Sequence, residues 1–148
     1  MRKVSFSQLM TYIRCPEHWL FRYSLGLKRT PKKILKHGFA LHEVFAYHFD
    51  QKKKDGKGIK VGDAKEFFAD VFLGALDDYK QELEATRPYL TKEYLKKEHE
   101  VDINDLLDRG MRGIEVYFKK LNPLIIPDLV EEAFEFQASK DIKVIGRL

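Results

Sequence analysis

A histidine, a pair of acids and several aromatic and basic side chains are the residues of this sequence that could do chemistry. His42 lies one helical turn after Gly38 in an aromatic-rich stretch, and Glu131 and Glu132 form an acid pair near the end. A glycine in mid-helix costs about 1 kcal/mol against alanine, so we expect another group to approach the backbone closely at Gly38. A histidine on an apolar helix face is more often a hydrogen-bonded core residue than a ligand, and both interpretations of His42 stay open at this point.

Common catalytic motifs are absent from the sequence. His42 and Glu43 would begin a zinc-protease helix, but that helix needs a second histidine where this chain has Ala46. The sequence also has no glycine-rich phosphate loop of the Walker type, no Gly-x-Ser-x-Gly elbow and no Cys/His cluster at zinc spacing. Composition and spacing alone therefore indicate a mostly helical globular domain without identifying its reaction.

The composition indicates one packed domain over residues 1–148, because 44% of the residues are hydrophobic and 13% are aromatic. The net charge of +4 and the pI near 9.0 are compatible with a polyanionic partner. Cys15 is the only cysteine, which excludes an internal disulfide framework and fits a reducing cytosol. No apolar run approaches the roughly 18 residues of a membrane span, and the first residues lack the apolar core of a signal peptide. We therefore expect a cytoplasmic protein with no membrane partner.

Periodicity and capping signals predict a helical body over residues 1–123. Ser5 and Gln8 stand at capping-box spacing for a first helix that ends at Cys15, and Pro16 is well placed to begin a second helix. The remaining predicted elements are helices at about 34–51, 63–85, 91–99 and 104–121, a mobile basic loop at 51–62 and a second capping box at Asp63 and Glu66.

The aromatic residues of the first two helices have two interpretations. Leu9, Tyr12, Trp19 and Tyr23 repeat at helical spacing, and this periodicity alone favours ordinary core packing over a binding role.

Residues 128–148 predict a β-hairpin after the helical body. Strand formers such as Val130, Phe134 and Val144 lie on either side of a polar break at Lys140 and Asp141. The whole chain is therefore expected to adopt an α+β fold, with the hairpin supplying the first strands of an incomplete α/β-type core.

Four short motifs follow one another along the chain. They are Ser5-x-Ser7-x-Leu9-x-x-Tyr12-x-x-Cys15-Pro16-x-x-Trp19-x-x-x-Tyr23, Gly38-x-x-x-His42, Val130-Glu131-x-x-Phe134 and Ile145-Gly146-Arg147-Leu148. Each motif is loose by itself, but their order and separation resemble RecB-like nucleases of the PD-(D/E)XK superfamily, which include CRISPR-adaptation nucleases. The resemblance implies a restriction-endonuclease-like core that hydrolyses DNA phosphodiesters with Mg²⁺ or Mn²⁺.

The same resemblance implies roles for individual residues. His42 would be a metal ligand, best suited to Mn²⁺ because manganese accepts imidazole more readily than magnesium, and Glu131 would support the metal cluster from the first strand. The residues implied to stack on bases or hold phosphates of a single strand are Tyr12, Arg14, Tyr23 and Arg147. The implied protein is an exonuclease acting on single strands or DNA ends in repair, recombination or CRISPR spacer capture, with a helicase or CRISPR-adaptation proteins as partners.

The sequence departs from the family pattern after Leu148, where the family has the aspartate of Gly-x-x-Asp and then an Asp/Glu-x-Lys strand. We therefore expect these 148 residues to be a truncated, inactive fragment whose exposed sheet edge allows self-association. Some family members use a cysteine at the position of Cys15, with three further cysteines, to hold a 4Fe–4S cluster. Those three are absent here, so a buried structural thiol is expected. The alternative function is a noncatalytic helical module that binds DNA or protein, with His42 packed in its core.

Overall fold

The computed structural model describes residues 2–27, 30–128, 130 and 132–147, and for Arg2 and Arg147 it describes the backbone alone. The chain divides into two compact units, one made of Met1–Arg29 with Leu129–Leu148 and the other of Thr30–Asp128. Helices make up most of the described chain, and a small mixed sheet completes the first unit. The α+β class is therefore confirmed, while a single domain over the whole chain stays a prediction.

Three strands of the described residues form one sheet in the first unit: β1 (Arg2–Ser5), β2 (Ala133–Gln137) and β3 (Ile142–Arg147). β3 is the middle strand, antiparallel to β2 and parallel to β1. The predicted hairpin is confirmed. The expectation that everything before the hairpin is helical is wrong, because β1 is a strand. Four residues are too few to show a period of two, and β1 forms by pairing with a strand from the other end of the chain.

Side-chain contacts link the three strands of the sheet. Glu135 in β2 forms ion pairs with Lys3 in β1, at 3.3 Å, and with Lys143 in β3. Hydrogen bonds from Lys143 and then Lys3 lower the pKa of the Glu135 carboxyl. Gly146 lies against the ring of Phe134, and a Cβ at this position would come within 2.4 Å of the ring. A side chain at this position would therefore require the Phe134 ring to shift.

A capped helix follows β1 directly. Ser5 Oγ accepts a hydrogen bond from the Gln8 N–H at 3.1 Å, and Gln8 Oε1 accepts one from the Ser5 N–H at 3.4 Å. The predicted capping box of α1 (Phe6–Arg14) is thus confirmed. Proline begins the short helix α2 (Pro16–Trp19), as predicted, and α2 continues into a π-helical turn (Leu20–Ser24).

The second unit contains α3 (Lys33–Asp55), α4 (Val61–Thr86), α5 (Lys92–Glu100) and α6 (Ile103–Val116). α6 continues as a π-helical turn and then a 3-10 turn (Asn122–Leu124). The buried core comes from α3, α4 and α6 and consists of Ala40, Val44, Ala64, Phe68, Phe72, Leu76, Leu106 and Ile114. Within the described ranges, no helix combines the length and apolarity that a membrane crossing requires.

Two predictions for the connection between α3 and α4 are wrong. Residues 51–55 continue α3 instead of beginning a loop, and the helix ends at Gly56, whose φ of +75° is left-handed. α4 begins at Val61, so Asp63 lies inside its first turn, and the predicted capping box with Glu66 does not form. Gly56, Gly58 and Gly62 could each end a helix in this region, and α3 ends at the first of them, Gly56.

Candidate functional site

His42 lies on an exposed face of α3. Gly38, one turn earlier, is also exposed, and a Cβ built there would meet no described heavy atom within 4 Å beyond its neighbouring backbone. The alternative that His42 is packed in the core is therefore wrong, because the buried stripe of α3 runs along a different face. The group expected to approach Gly38 is not among the described protein atoms within that distance.

The buried histidine of α3 is His48, which continues the buried stripe of Ala40 and Val44 at four-residue spacing. Its Nε2 lies 2.9 Å from the side-chain oxygen of Asn122, and its Nδ1 has no hydrogen-bond partner among the described atoms. Burial lowers the pKa of His48, so the ring is neutral near pH 7. Sequence reasoning missed this residue, although its spacing from the two apolar residues could have marked it.

Lys52 joins the end of α3 to the turn after α6. Its Nζ donates to the side-chain oxygen of Asn122 at 2.8 Å and to the carbonyl of Ile125 at 2.6 Å. A residue expected in a solvated loop therefore satisfies carbonyls at a helix end, where a cation is favourable. These bonds connect the last turns of α3 to the turn after α6.

The described residues do not form a metal site by themselves. Within residues 2–27, 30–128, 130 and 132–147, no three His, Cys, Asp or Glu side chains lie close enough together to hold a metal ion. Glu131, the predicted acid of the first strand, lies outside the described residues. Arg147 is described by its backbone, which pairs with Ala133 in the sheet, while its side chain lies outside the description. His42 is thus the exposed candidate ligand whose placement is known.

Cys15 is exposed, so the expectation of a buried structural thiol is wrong. Its sulfur accepts a hydrogen bond from the His18 N–H at 3.4 Å and thereby caps the first turn of α2. Pro16 is the first residue of α2, so Cys15 occupies the N-cap position of this helix. The arrangement is structural and needs no bound cluster.

The aromatic residues of the first unit form a row on its helical segment. Trp19 contacts Tyr12 edge-on, with ring centres 5.7 Å apart, and Tyr23 at 6.3 Å. The guanidinium of Arg22 lies over the Tyr23 ring, 5.0 Å from its centre. No described residue of α1, α2 or the π-helical turn is buried, so the core-packing alternative is wrong. Aromatic rings beside guanidinium groups suit contact with nucleobases and phosphates.

Two of the predicted nucleic-acid residues, Tyr12 and Tyr23, are therefore brought together through Trp19, which the prediction did not include. Arg14 is exposed in the last turn of α1. The sequence-based prediction also did not include Arg22, because a single arginine in a helix does not indicate a binding role until its neighbours in space are known.

Comparison with known proteins identifies a family for the chain. The family model described as the PD-(D/E)XK nuclease superfamily matches residues 3–148. Neither a curated protein nor a solved structure matches the chain significantly.

Proposed function

Because the chain belongs to the PD-(D/E)XK nuclease superfamily, we propose that it acts in the metal-dependent cleavage of DNA as an exonuclease of RecB-like or CRISPR-adaptation type. Membership implies a phosphodiester-hydrolysing enzyme, and enzymes of this superfamily generally use Mg²⁺ or Mn²⁺. The observation that carries the proposal is the family match, which runs over almost the entire chain. The mixed sheet and the capped helix that follows its first strand support it.

In this proposal His42 and Glu131 belong to the metal site. A bound divalent ion would neutralise charge on the phosphate and make a water molecule nucleophilic. The exposure of Gly38 and His42 on α3 supports this assignment, because a metal ligand must be reachable by the ion. The described donors do not complete a metal site, so we derive no step of the reaction from them.

We further propose that a polypeptide of residues 1–148 by itself does not cleave DNA. The family pattern needs the aspartate of Gly-x-x-Asp and an Asp/Glu-x-Lys, which these residues do not supply at matching positions. The biological setting proposed is DNA repair, recombination or CRISPR adaptation in the cytoplasm, together with a helicase or adaptation proteins.

The test compares two samples. One is the polypeptide as it is produced naturally, called the source polypeptide below, and the other is a polypeptide of residues 1–148 alone. End-labelled single-stranded and duplex oligonucleotides are incubated with Mg²⁺, with Mn²⁺ and with a chelator. We expect metal-dependent shortening from an end by the source polypeptide and none by residues 1–148. Products that do not depend on metal, or internal cuts alone, would reject the metal-dependent exonuclease.

His42→Ala in the source polypeptide tests the site itself. We expect loss of Mn²⁺-dependent cleavage with little change in the thermal unfolding midpoint, because the side chain is exposed. The matched control is His99→Ala, which removes another exposed histidine from the same unit. Retained cleavage in His42→Ala removes this residue from the metal site.

A noncatalytic DNA- or protein-binding module is the second candidate, and the aromatic row of the first unit, in which Tyr12 is exposed, favours it. Tight DNA binding by the source polypeptide without any metal-dependent product would select this candidate.

We also propose that the protein self-associates through an edge strand of the sheet, β1 or β2. A molecular mass by light scattering that stays monomeric at high concentration would exclude it.

A further inference from the structure

A small cavity of the second unit, called the α4–α5 cavity below, is lined mainly by residues of these two helices. Its volume is about 200 Å³, and its apolar side chains include Leu76 and Leu83 of α4, Leu95 of α5 and Ile103, the first residue of α6. A cavity of about 150 Å³ lined by leucine, isoleucine and phenylalanine is large enough to bind benzene. The α4–α5 cavity therefore has room for a ligand with a six-membered ring.

A buried carboxylate also lines the α4–α5 cavity. Glu98 is 9% exposed. The Lys33 N–H and the Tyr79 hydroxyl both donate to its Oε2, at 3.1 and 3.3 Å. Oε1 receives neither of these bonds, although each carboxylate oxygen offers about two acceptor sites. One oxygen of a buried negative group is thus left for a donor that enters the cavity.

A second polar atom near this carboxylate lacks a partner. Tyr94 lies one turn before Glu98 on α5, and its buried hydroxyl has no hydrogen-bond partner among the residues that the structure describes. Burial and then the charge of Glu98 raise the pKa of Tyr94, so the charge acts on this phenol. Buried polar atoms are nearly always hydrogen-bonded, and an orphaned one indicates a bound water, ion or ligand.

The basic side chains that line the cavity are directed to other partners or to solvent. The Lys33 ammonium donates to a backbone carbonyl at the end of α5, at 3.1 Å. The Lys80 ammonium pairs with Asp77 at 2.8 Å, and both side chains are well exposed. His99 is also exposed. The buried charge that a ligand in the cavity would meet is therefore the negative charge of Glu98.

We propose that the α4–α5 cavity binds a small primary amine in its protonated form. The ammonium donates to Oε1 of Glu98, and the apolar body of the ligand lies between the leucines of α4 and α5. Taking an ammonium out of water is costly, and the buried carboxylate together with further hydrogen bonds offsets this cost. The lining residues include none of those that we assign to DNA cleavage, so the amine site is independent of the proposed function.

A primary ammonium suits this lining better than other ligand classes do. It carries three donors and a positive charge, and its charge-assisted hydrogen bond to a carboxylate is about twice as strong as a neutral one. A guanidinium pairs best with both oxygens of a carboxylate, and Oε2 of Glu98 already accepts two bonds. An anionic ligand would be repelled by Glu98.

Three probes of nearly equal size test the class of ligand. The purified protein, labelled with nitrogen-15, is titrated with benzylammonium, benzyl alcohol or benzoate, and its NMR spectra are followed. We expect saturable shifts of the Leu95 and Glu98 amides with benzylammonium, about tenfold weaker binding of benzyl alcohol and no binding of benzoate. Absence of saturable shifts with benzylammonium overturns the site. Equal binding of the amine and the alcohol overturns recognition of the charge.

Glu98→Gln tests the carboxylate, because it keeps an acceptor for the Lys33 N–H and removes the charge. We expect the preference for benzylammonium over benzyl alcohol to fall from about tenfold to less than about threefold. Glu100→Gln is the matched control, since it makes the same change at an exposed residue of α5, and it should keep the preference. An undiminished preference in Glu98→Gln overturns the assignment.

A cavity-filling variant gives a second measurement that keeps the carboxylate. Leu83→Trp should fill much of the α4–α5 cavity and weaken benzylammonium binding at least about tenfold. Leu73→Trp is the matched control, because it places the same ring on α4 at a 48% exposed residue outside the cavity lining, and it should leave binding unchanged. Equal affinities of the two tryptophan variants for benzylammonium place the amine elsewhere and overturn the inference.

Discussion

The carboxylate of Glu98 accepts a hydrogen bond from the backbone N–H of Lys33 at 3.1 Å, although 65 residues separate them. Lys33 is the first residue of α3, and its N-cap, Lys32, provides no side-chain hydrogen bond. The Tyr79 hydroxyl also donates to Glu98, at 3.3 Å, and the Lys33 ammonium donates to the carbonyl of Val101 at 3.1 Å. A buried carboxylate on α5 thus caps the helix that carries His42, where negative charge is favourable.

Replacing the Glu98 carboxylate should destabilise the second unit. We expect Glu98→Ala to lower the free energy of unfolding by about 2–3 kcal/mol, because it leaves the buried Tyr79 hydroxyl and the half-buried Lys33 N–H without their acceptor. Glu98→Gln keeps an acceptor and should cost about 1 kcal/mol. Urea denaturation followed by circular dichroism measures both. The control is Glu100→Gln, an exposed residue of the same helix, and a loss there as large as in Glu98→Gln would contradict the capping role.

Local signals in the sequence predicted much of the fold. The hydrogen bonds that begin α1 are made within four residues, and the break at Lys140 and Asp141 separates two strands that pair with each other. β1 and the cap supplied by Glu98 could not be predicted in this way, because each depends on a partner far away in the chain. Long-range pairing leaves no period or spacing in a single sequence.

The candidate site was predictable to a lesser degree. Gly38 and His42 were selected as a motif, but only the structure distinguishes exposed His42 from buried His48 on the same helix. Tyr12 and Tyr23 were selected as binding residues, while Trp19 between them was identified only after its ring contacts were known. Ring geometry depends on how α1, α2 and the π-helical turn bend, and spacing alone does not give that bend.

Two histidines of α3, buried His48 and half-buried His37, should make stability depend on pH. Burial lowers the pKa of both His37 and His48 from 6.5. The unfolded chain therefore binds protons that the folded chain does not, and the free energy of unfolding should fall as pH decreases through about 6.5. The fall should end below the folded-state pKa values, where both states are protonated.

Substitution of His37 and His48 tests whether these two histidines cause the pH dependence of stability. His48→Gln and His37→Gln should each reduce the slope of unfolding free energy against pH below about 6.5, whatever their effect on absolute stability. His18→Gln, in an exposed position, is the control. Denaturation at a series of pH values provides the slopes. An undiminished slope in the double variant of His37 and His48 would assign the dependence to other groups.

The bonds made by Lys52 should stabilise the junction of α3 with the turn after α6. Lys52→Met keeps most of the aliphatic stem and removes the ammonium, which leaves the carbonyl of Ile125 and the Asn122 side chain without this donor. We expect a loss of about 1–3 kcal/mol in the free energy of unfolding. Lys60→Met, at an exposed lysine in the same unit, should change it by less than about 0.5 kcal/mol. Similar values for the two variants would show that these bonds contribute nothing net.

Two glycines of α6 should respond oppositely to alanine. A Cβ at Gly110 would lie 2.1 Å from the buried ring of Phe68, whereas a Cβ at Gly113 meets nothing within 4 Å among the described atoms. Gly110→Ala should therefore destabilise by about 1–3 kcal/mol through overpacking, and Gly113→Ala should stabilise by up to about 1 kcal/mol. Thermal unfolding monitored by circular dichroism compares them directly, and Gly110→Ala combined with Phe68→Leu should recover part of the loss. A stabilising Gly110→Ala would disagree with the packing of α4 on α6.

Gly38→Ala should change stability and activity in opposite directions. Its surroundings are open, so Gly38→Ala should stabilise α3 by about 0.5–1 kcal/mol through helix propensity. The same methyl group stands one turn from His42, on the face where we place metal and substrate, and displacement of about 1 Å there costs up to about 100-fold in rate. We therefore expect the source polypeptide carrying Gly38→Ala to be more stable and at least about tenfold less active. Gly74→Ala is the matched control, because Gly74 is equally exposed and unobstructed on α4, and it should gain similar stability with full activity. Equal cleavage by the two variants would mean that no reacting group approaches Gly38, and the metal site would then have to lie on another face.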